Sequence, residues 1–498
     1  MSVFNNSEAR VRGAPASKTF VPFLMSFCIG TPVLLCLFVP TVIIFKIFNF
    51  FYSKICGGAK TVKHPDTVVH PKATLPITPR ASRKYDVIVY GATGYTGGLL
   101  AGYFARQYSL GKTLRWAIGG RSMARLQAVK EELMKAHPGM KDLDLVVADS
   151  HNFEQLSEMC NSAKVVCSTV GPYTLYGSTL VNACALYGTD YCDITGELDW
   201  VRDSVACFQK MALKSGARIV SFCGHDSIPW DITAQQLADK LKKDHNQSVK
   251  AFNMWDNIKG KPSGGTIATV FELWERRKTA PAPKKIPRAE NEFFMFPGET
   301  VGNGFMSKNL NTKMLSYDAK AKSWIGLFVM ADANQKIVDR SNALLGWGNG
   351  LKYSEKVIFS NFMAGYSYYM GLMFMACALE CSLIGWFFRN YVLPKPGQGP
   401  TEHELQTGFL NVYGEATGEN GAKVNAVMTF DKDPGYWETA RMLGESGLCF
   451  VFDNDKLKVG GGMHTTASGL GQVLLDRLVA TGTGFRFYNP RDEKVKAN

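Results

Sequence analysis

Three evenly spaced glycines, Gly91, Gly94 and Gly97, are the residues of this chain that speak most directly of chemistry. They stand in the run Gly91-Ala92-Thr93-Gly94-Tyr95-Thr96-Gly97. The apolar run Tyr85-Asp86-Val87-Ile88-Val89-Tyr90 precedes it, and Leu99, Leu100, Tyr103 and Phe104 follow at helical spacing. A glycine-rich turn between a strand and a helix is the setting of a dinucleotide site. Gly91 permits the tight turn, Gly94 lets the backbone approach a pyrophosphate, and Gly97 lets helix pack on strand. Free N–H groups and the positive helix end then attract the anion. The plain alternative is a glycine-rich turn with no ligand.

Which dinucleotide is decided one strand later. An acidic residue at the end of strand two would bond the ribose hydroxyls of NAD. This chain has Arg121 and Ser122 there, with Arg125 one turn on. The planar guanidinium fork suits a 2′-phosphate, so NADP(H) is expected over NAD(H). Arg121 is otherwise a solvated first-turn charge. Asp149, closing strand three, is expected on the adenine side, and Val170, Gly171 and Pro172, closing strand four, on the nicotinamide side. Candidate proton donors are Tyr173 and Tyr176 after strand four, and His225, Asp226 and Ser227 after strand six. The Asp-Ser-x-Pro run is also a good helix cap, and capping is favoured over catalysis for Asp226. His225 reads more readily as a packed loop residue than as a donor. No Ser-x-x-x-Tyr-x-x-x-Lys arrangement follows strand four, which argues against a short-chain reductase.

The elements that would position these residues follow a βα rhythm. Strands are read at 85–90, 114–118, 143–148, 164–169, 191–194 and 218–222. A helix is read over 123–136, with Ser122 as its N-cap. Short apolar strands alternating with helices imply a doubly wound parallel sheet. Ligands of such sheets bind at the carboxyl ends of the strands. Alternating patterns at 251–255 and 324–330 predict a second, mixed-sheet α+β domain. Between them, Ser263-Gly264-Gly265-Thr266 opens a helical pattern whose N–H groups could face the nicotinamide.

Beyond the glycines, several runs are distinctive. They include Ser168-Thr169-Val170-Gly171-Pro172-Tyr173, Tyr191-Cys192-Asp193-Ile194-Thr195-Gly196-Glu197 and Gly224-His225-Asp226-Ser227-Ile228-Pro229-Trp230-Asp231. Others are Arg340-Ser341-Asn342-Ala343-Leu344-Leu345-Gly346, Asp433-Pro434-Gly435-Tyr436 and Gly460-Gly461-Gly462 with Thr465. Through them the chain resembles the saccharopine dehydrogenase-like oxidoreductases, including the trans-acting enoyl reductases, over roughly 85–487. His225 and Trp230 depart from the family, which more often has Phe and Ala there. The resemblance implies reduction of a lipid or other apolar substrate, an enoyl double bond among the candidates. A saccharopine enzyme proper handles a soluble, charged amino acid and would gain nothing from a membrane anchor.

Such an anchor is expected at the start of the chain. No charged residue occurs from 20 to 45. A helix of that length spans about 39 Å against a hydrocarbon core of roughly 30 Å. Pro22, Pro32 and Pro40 would kink it, which membrane helices tolerate. The basic, Pro-containing stretch 57–84 places the enzyme on the cytosolic or matrix side by the positive-inside rule. The mitochondrial inner membrane and the ER or lipid-droplet surface both remain open. A second apolar stretch, 359–388, reads equally as membrane contact or as core. The domain reading is 1–56 leader and anchor, 57–84 linker, 85–248 dinucleotide-binding domain, 249–356 substrate domain, 357–393 the apolar segment, and 394–498 completing the fold.

Composition frames the rest. The 498 residues exceed one small core, and 46% hydrophobic content suits a globular enzyme. The formal charge of +13 is scattered, with no nucleic-acid-binding signature. Anionic lipid is the simpler partner. Twelve Cys without a Cys-x-x-Cys pair and eight dispersed His predict reduced thiols and no metal site. The sequence therefore points to a membrane-anchored NADP(H)-dependent oxidoreductase. The rival is a non-catalytic dinucleotide-binding subunit of a membrane complex. A homo-oligomer is compatible with either.

Overall fold

The computed structural model describes residues 73–108, 110–225, 227–260, 271, 308–309, 315–319, 321–380, 385–386, 391 and 399–489. The expected anchor at 20–45, Asp226 and the Ser263–Thr266 run lie outside the described residues. The first sheet is parallel and seven-stranded. It contains β1 (Tyr85–Tyr90), β2 (Trp116–Gly120), β3 (Asp144–Val147), β4 (Ala163–Ser168), β5 (Asp190–Asp193), β6 (Arg218–Val220) and, from far down the chain, β14 (Gly462–His464). Their order, β14-β6-β5-β4-β1-β2-β3, contains the doubly wound sequence 3-2-1-4-5-6 of dinucleotide-binding sheets. All six residues of β1 are buried. A central strand covered on both faces needs a continuous apolar run, not an alternating one.

The linking helices are α1 (Tyr95–Gln107), α2 (Met123–Ala136), α3 (Phe153–Ser162), α4 (Tyr173–Tyr187), α5 (Leu198–Ser215) and α6 (Ile228–His245). Local signals set several of their ends. Ser122 Oγ accepts the Arg125 N–H at 3.4 Å, and Asn152 Oδ1 accepts that of Gln155 at 3.1 Å. Gly188 and Gly216 stop α4 and α5 in the left-handed region, at φ of 65° and 82°.

The second sheet is mixed and eight-stranded. Its members are β7 (Val249–Lys259), β8 (Lys308–Asn309), β9 (Leu315–Asp318), β10 (Ser323–Leu327), β11 (Lys352–Phe359), β12 (Phe409–Gly418), β13 (Lys423–Phe430) and β15 (Gly484–Phe487). At its centre β7 pairs parallel with β11 and antiparallel with β12. Helices α7 (Ala331–Leu345), α8 (Phe362–Glu380), α9 (Glu402–Thr407), α10 (Thr439–Phe452), α11 (Thr466–Gly469) and α12 (Gly471–Ala480) complete the described elements.

The C-terminal part serves both sheets. It gives β14 to the first and β12, β13 and β15 to the second. Helix α10 lies on the first sheet, where Gly447 comes so close to Cys167 that a Cβ would sit 2.5 Å from its Sγ. One core runs through both sheets, from Val87 and Cys167 to Met254, Val412 and Leu443.

The chain enters at the amino edge of the first sheet. Arg83 is buried and donates to the Ala163 carbonyl and Thr189 Oγ1, both at 2.9 Å. Arg80 pairs with Asp190 at 2.7 Å. The last dozen residues of the expected linker are therefore docked, and the carboxyl edge stays clear of them. Helix α8 packs by its aromatic side on the second sheet, with Phe362 edge-on to Trp324 at 5.0 Å and Tyr368 on Phe359 at 5.4 Å. Among the described residues no helix is long and apolar enough to cross a membrane. The described cysteines are unpaired, six buried and Cys207 exposed.

Candidate active site at the carboxyl edge

The crevice between β1 and β4 is where the strand order reverses. Gly91 turns there with φ of +94°. A Cβ on it would lie 2.7 Å from both Thr169 Oγ1 and Val170 Cγ2, so only glycine fits. A Cβ on Gly97 would run into the Gly91 carbonyl oxygen, which is the close helix–strand approach expected of it. Gly94 is different: it is exposed, and its Cβ position meets only Gly91 O, at 3.3 Å. Gly94 is also the N-cap of α1, with no side-chain cap and no acid in the first turn. Loop residues Thr93 and Gly94 face outward, Tyr95 and Thr96 are half-buried, and Ala92 is buried. Of the loop's N–H groups, those of Gly91 and Ala92 donate to the Gly119 carbonyl and that of Gly94 to the Gly91 carbonyl; the start of α1 is the end that attracts an anion.

Tyr95 is held from the far end of the chain. Its hydroxyl donates to the Pro400 carbonyl at 2.5 Å, and Tyr436 meets its ring edge-on at 5.5 Å. Tyr436 belongs to a π-helical turn, Pro434–Glu438, capped by Asp433. The same turn supports the end of β6, since Thr439 Oγ1 accepts the His225 N–H at 3.0 Å.

Beyond β2, Arg121 and Arg125 are exposed and Ser122 half-buried. Among the described residues neither arginine has an ion-pair partner. Asp149 is half-buried, and its Oδ1 accepts the His151 N–H at 2.8 Å in a tight turn. Val170 and Pro172 are half-buried and Gly171 is exposed at the end of β4, across the crevice from Gly91.

The candidate proton donors are placed less favourably. Tyr173 is buried, its hydroxyl donates to the Ser168 carbonyl at 3.0 Å and receives the Ile194 N–H at 3.4 Å. It ties β4 to β5. Tyr176 is half-buried with its ring edge-on to His151 at 5.3 Å. Ser227 is the N-cap of α6, but its side chain makes no capping bond, while Pro229 occupies the first turn. His225 meets Trp230 edge-on at 5.3 Å. Burial pulls its imidazole down to about 4, so it is neutral at pH 7.

Three groups of residues around this edge went unassigned in the sequence. Glu197, from the turn after β5, caps α4: its carboxylate receives the Tyr173 N–H at 2.6 Å, the Thr174 N–H at 2.9 Å and the Thr174 hydroxyl. Asp193 ties β5 to β6 by accepting from Phe222 N–H and Ser221 Oγ, and burial pushes its carboxyl up to about 7. Asp231, Asp256 and Glu355 form buried carboxyl sites farther in. An acid inside an apolar strand or helix pattern was the available signal for them. Among the described residues no group of three or more His, Cys, Asp or Glu is arranged to hold a metal.

No family model matches the chain. A Mycobacterium tuberculosis protein provisionally named as a trans-acting enoyl reductase is 35% identical over 417 residues, covering 81% of this chain and 97% of the relative. The trans-acting enoyl reductase of Mycobacterium ulcerans is 34% identical over 439 residues, with the same coverage. Among solved structures, homospermidine synthase of Legionella pneumophila with NAD aligns at 9% identity, TM-score 0.49, over 81% of this chain and 92% of that one. Saccharopine dehydrogenase of Saccharomyces cerevisiae aligns at 11% identity, TM-score 0.44, over 81% and 100%. With relatives one-third identical and matched over nearly their whole length, the chain belongs to the family of the trans-acting enoyl reductases.

Proposed function

We propose that this protein is an NADP(H)-dependent reductase of an enoyl double bond in a lipid or other apolar substrate. The observation that carries the reading is the uncapped start of α1 inside its glycine cradle. The names of its relatives support the reaction class. Residues 91–97 would hold the pyrophosphate, and Arg121 with Ser122 the 2′-phosphate. Asp149 would border the adenine side, and Val170, Gly171 and Pro172 the nicotinamide side. The dihydronicotinamide would supply hydride. The chain's own part is to position and to exclude water: Tyr173 fixes the β4 end, and the neutral His225 lines the β6 end.

The cofactor test is direct binding. NADPH should bind at least tenfold tighter than NADH, about 1.4 kcal/mol, and Arg121→Ala should erase most of that difference. Equal affinities in the unaltered protein would overturn the preference. Turnover is tested by NADPH oxidation with a lipid extract. The uncharged stretch 20–45 is proposed as a membrane anchor that holds the enzyme on a cytosolic or matrix surface. Deleting residues 1–53 should release the protein on carbonate extraction; full retention would assign anchoring elsewhere.

A further inference from the structure

The second sheet buries two carboxyls next to each other. Asp256 on β7 stands opposite Val357 of the parallel strand β11, and Glu355 stands opposite Met254. Residues two apart share a face, so both acids lie under α6 and α7. Each is 0% exposed. Trp230 Nε1–H donates to Asp256 Oδ1 at 2.9 Å. Glu355 receives the Tyr353 hydroxyl at 2.6 Å and Asn334 Nδ2–H at 2.8 Å. Asp256 Oδ2 has no hydrogen-bond partner among the described residues.

Two carboxylates in one apolar site cannot both ionise at neutral pH. Burial first, then the charge of Glu355, pushes Asp256 well up, and burial brings Glu355 to about 8. Such a pair titrates as a unit. The other titratable groups turned toward it are Tyr353 on its own strand, Asp339 of α7 through Tyr353, and Tyr368 of α8. The turn after β6 brings His225, in contact with Trp230. Strand β12 presents Val412 opposite Asp256.

One side chain links the pair to the turn after β6. The Trp230 indole hangs from Asp256, meets His225 edge-on at 5.3 Å, and packs on Phe328 at 5.6 Å. We infer that Asp256 and Glu355 are both protonated at neutral pH and act as positioning residues for the turn after β6, fixing Trp230 and through it His225. Ionising either acid would put an unpaired charge into this apolar site and loosen that support. The link to turnover rests on the reductase reading, whereas the protonated pair and the Trp230 support do not.

Two spectroscopic readouts test the pair in the full-length protein. Infrared difference spectra should show two neutral carboxyls at neutral pH in the wild type, and the one that ionises on the alkaline side of neutrality should be missing in Glu355→Gln. The Trp230 indole N–H resonance, assigned by Trp230→Phe, should shift with the same midpoint and stay fixed in Glu355→Gln. In Asp256→Asn, which keeps an acceptor oxygen for Trp230, one neutral carboxyl should be lost while the alkaline ionisation of Glu355 persists, which decides the matter if the first variant does not fold. A wild-type spectrum with either acid ionised at neutral pH overturns the inference, and so does an indole signal indifferent to the titration. NADPH oxidation should then fall at least about tenfold from neutral to alkaline pH in the wild type and less than about twofold in Glu355→Gln. No lipid turnover, with both spectroscopic signals as expected, sinks the reductase reading and leaves the pair standing.

Discussion

Helices α1 and α4 begin on neighbouring strands at the same edge of the first sheet, and their first turns are treated in opposite ways. The N–H groups of Tyr173 and Thr174 donate to Glu197, so the chain supplies its own anion to α4. At α1 the cap is Gly94, with neither a capping side chain nor an acid in the first turn. Both ends carry the same partial positive charge. What differs is side-chain chemistry: a carboxylate closes one anion site, and three glycines keep the other accessible to a ligand. A helix start is informative only when one asks which group satisfies it.

The strongest way to break the comparison is to fill the cradle. Gly97→Val puts a branched side chain onto the Gly91 carbonyl and forces α1 away from β1. Dinucleotide affinity should fall at least a hundredfold, about 2.8 kcal/mol, as measured by calorimetric titration. Circular dichroism should show the fold retained. Unchanged affinity in a folded variant would remove the α1 start as the anion site.

At α4 the corresponding change acts on stability alone. Glu197→Ala removes the acceptor of two N–H groups and one hydroxyl from a buried position. The cost should be about 2 kcal/mol in denaturant unfolding. NADPH affinity should stay within about threefold. A large loss of binding with little loss of stability would make Glu197 part of the ligand site and erase the contrast.

The α1 side of the comparison was legible in the sequence because its determinants are local. The bounds of β1 and α2 follow from an apolar run and from Ser122 as a cap. The glycine spacing gave the cradle for the same reason. The α4 side was not legible, because Glu197 acts on residues in another element. Strand β14 is three residues long and follows Gly460 and Gly461; only pairing with β6 makes it a strand. The Asp256–Glu355 pair joins strands far apart in the chain, and periodicity marks such positions simply as buried. Tyr173 shows a different limit, since sequence position does not tell where a side chain points. Its place after β4 suggested chemistry, yet the fold turns its hydroxyl onto the backbone.

The buried titratable groups also make stability depend on pH. Toward β5, β6 and the second sheet, burial raises Asp231 to about 6, Asp193 to about 7 and Glu355 to about 8. An acid raised on folding stabilises the native state fully below its unfolded value, and that stability is lost as pH rises through the folded value. His225, lowered to about 4, acts the other way: its contribution is present above its ordinary value near 6.5 and is lost as pH falls toward 4. The thermal midpoint should therefore drop between about pH 6 and about pH 8, and Glu355→Gln should shrink the drop. A midpoint that rises over that window would contradict the burial of these acids.

The smallest effect belongs to Tyr173→Phe, and it separates two roles for that hydroxyl. Its bond to the Ser168 carbonyl at 3.0 Å and its bond from the Ile194 N–H at 3.4 Å join the ends of β4 and β5. The ring packs on Trp200 at 5.4 Å and would stay in place in Phe. Loss of the hydroxyl should cost about 1 kcal/mol of unfolding free energy. A positioned proton donor, by contrast, contributes roughly a hundredfold or more to rate. With NADPH and a lipid extract, the variant should retain at least about a third of the wild-type rate, because a tie between strand ends is not a source of protons. A hundredfold fall in rate with stability unchanged would mean that the tyrosine leaves the Ser168 carbonyl when substrate binds, and that the β4 end carries the chemistry after all.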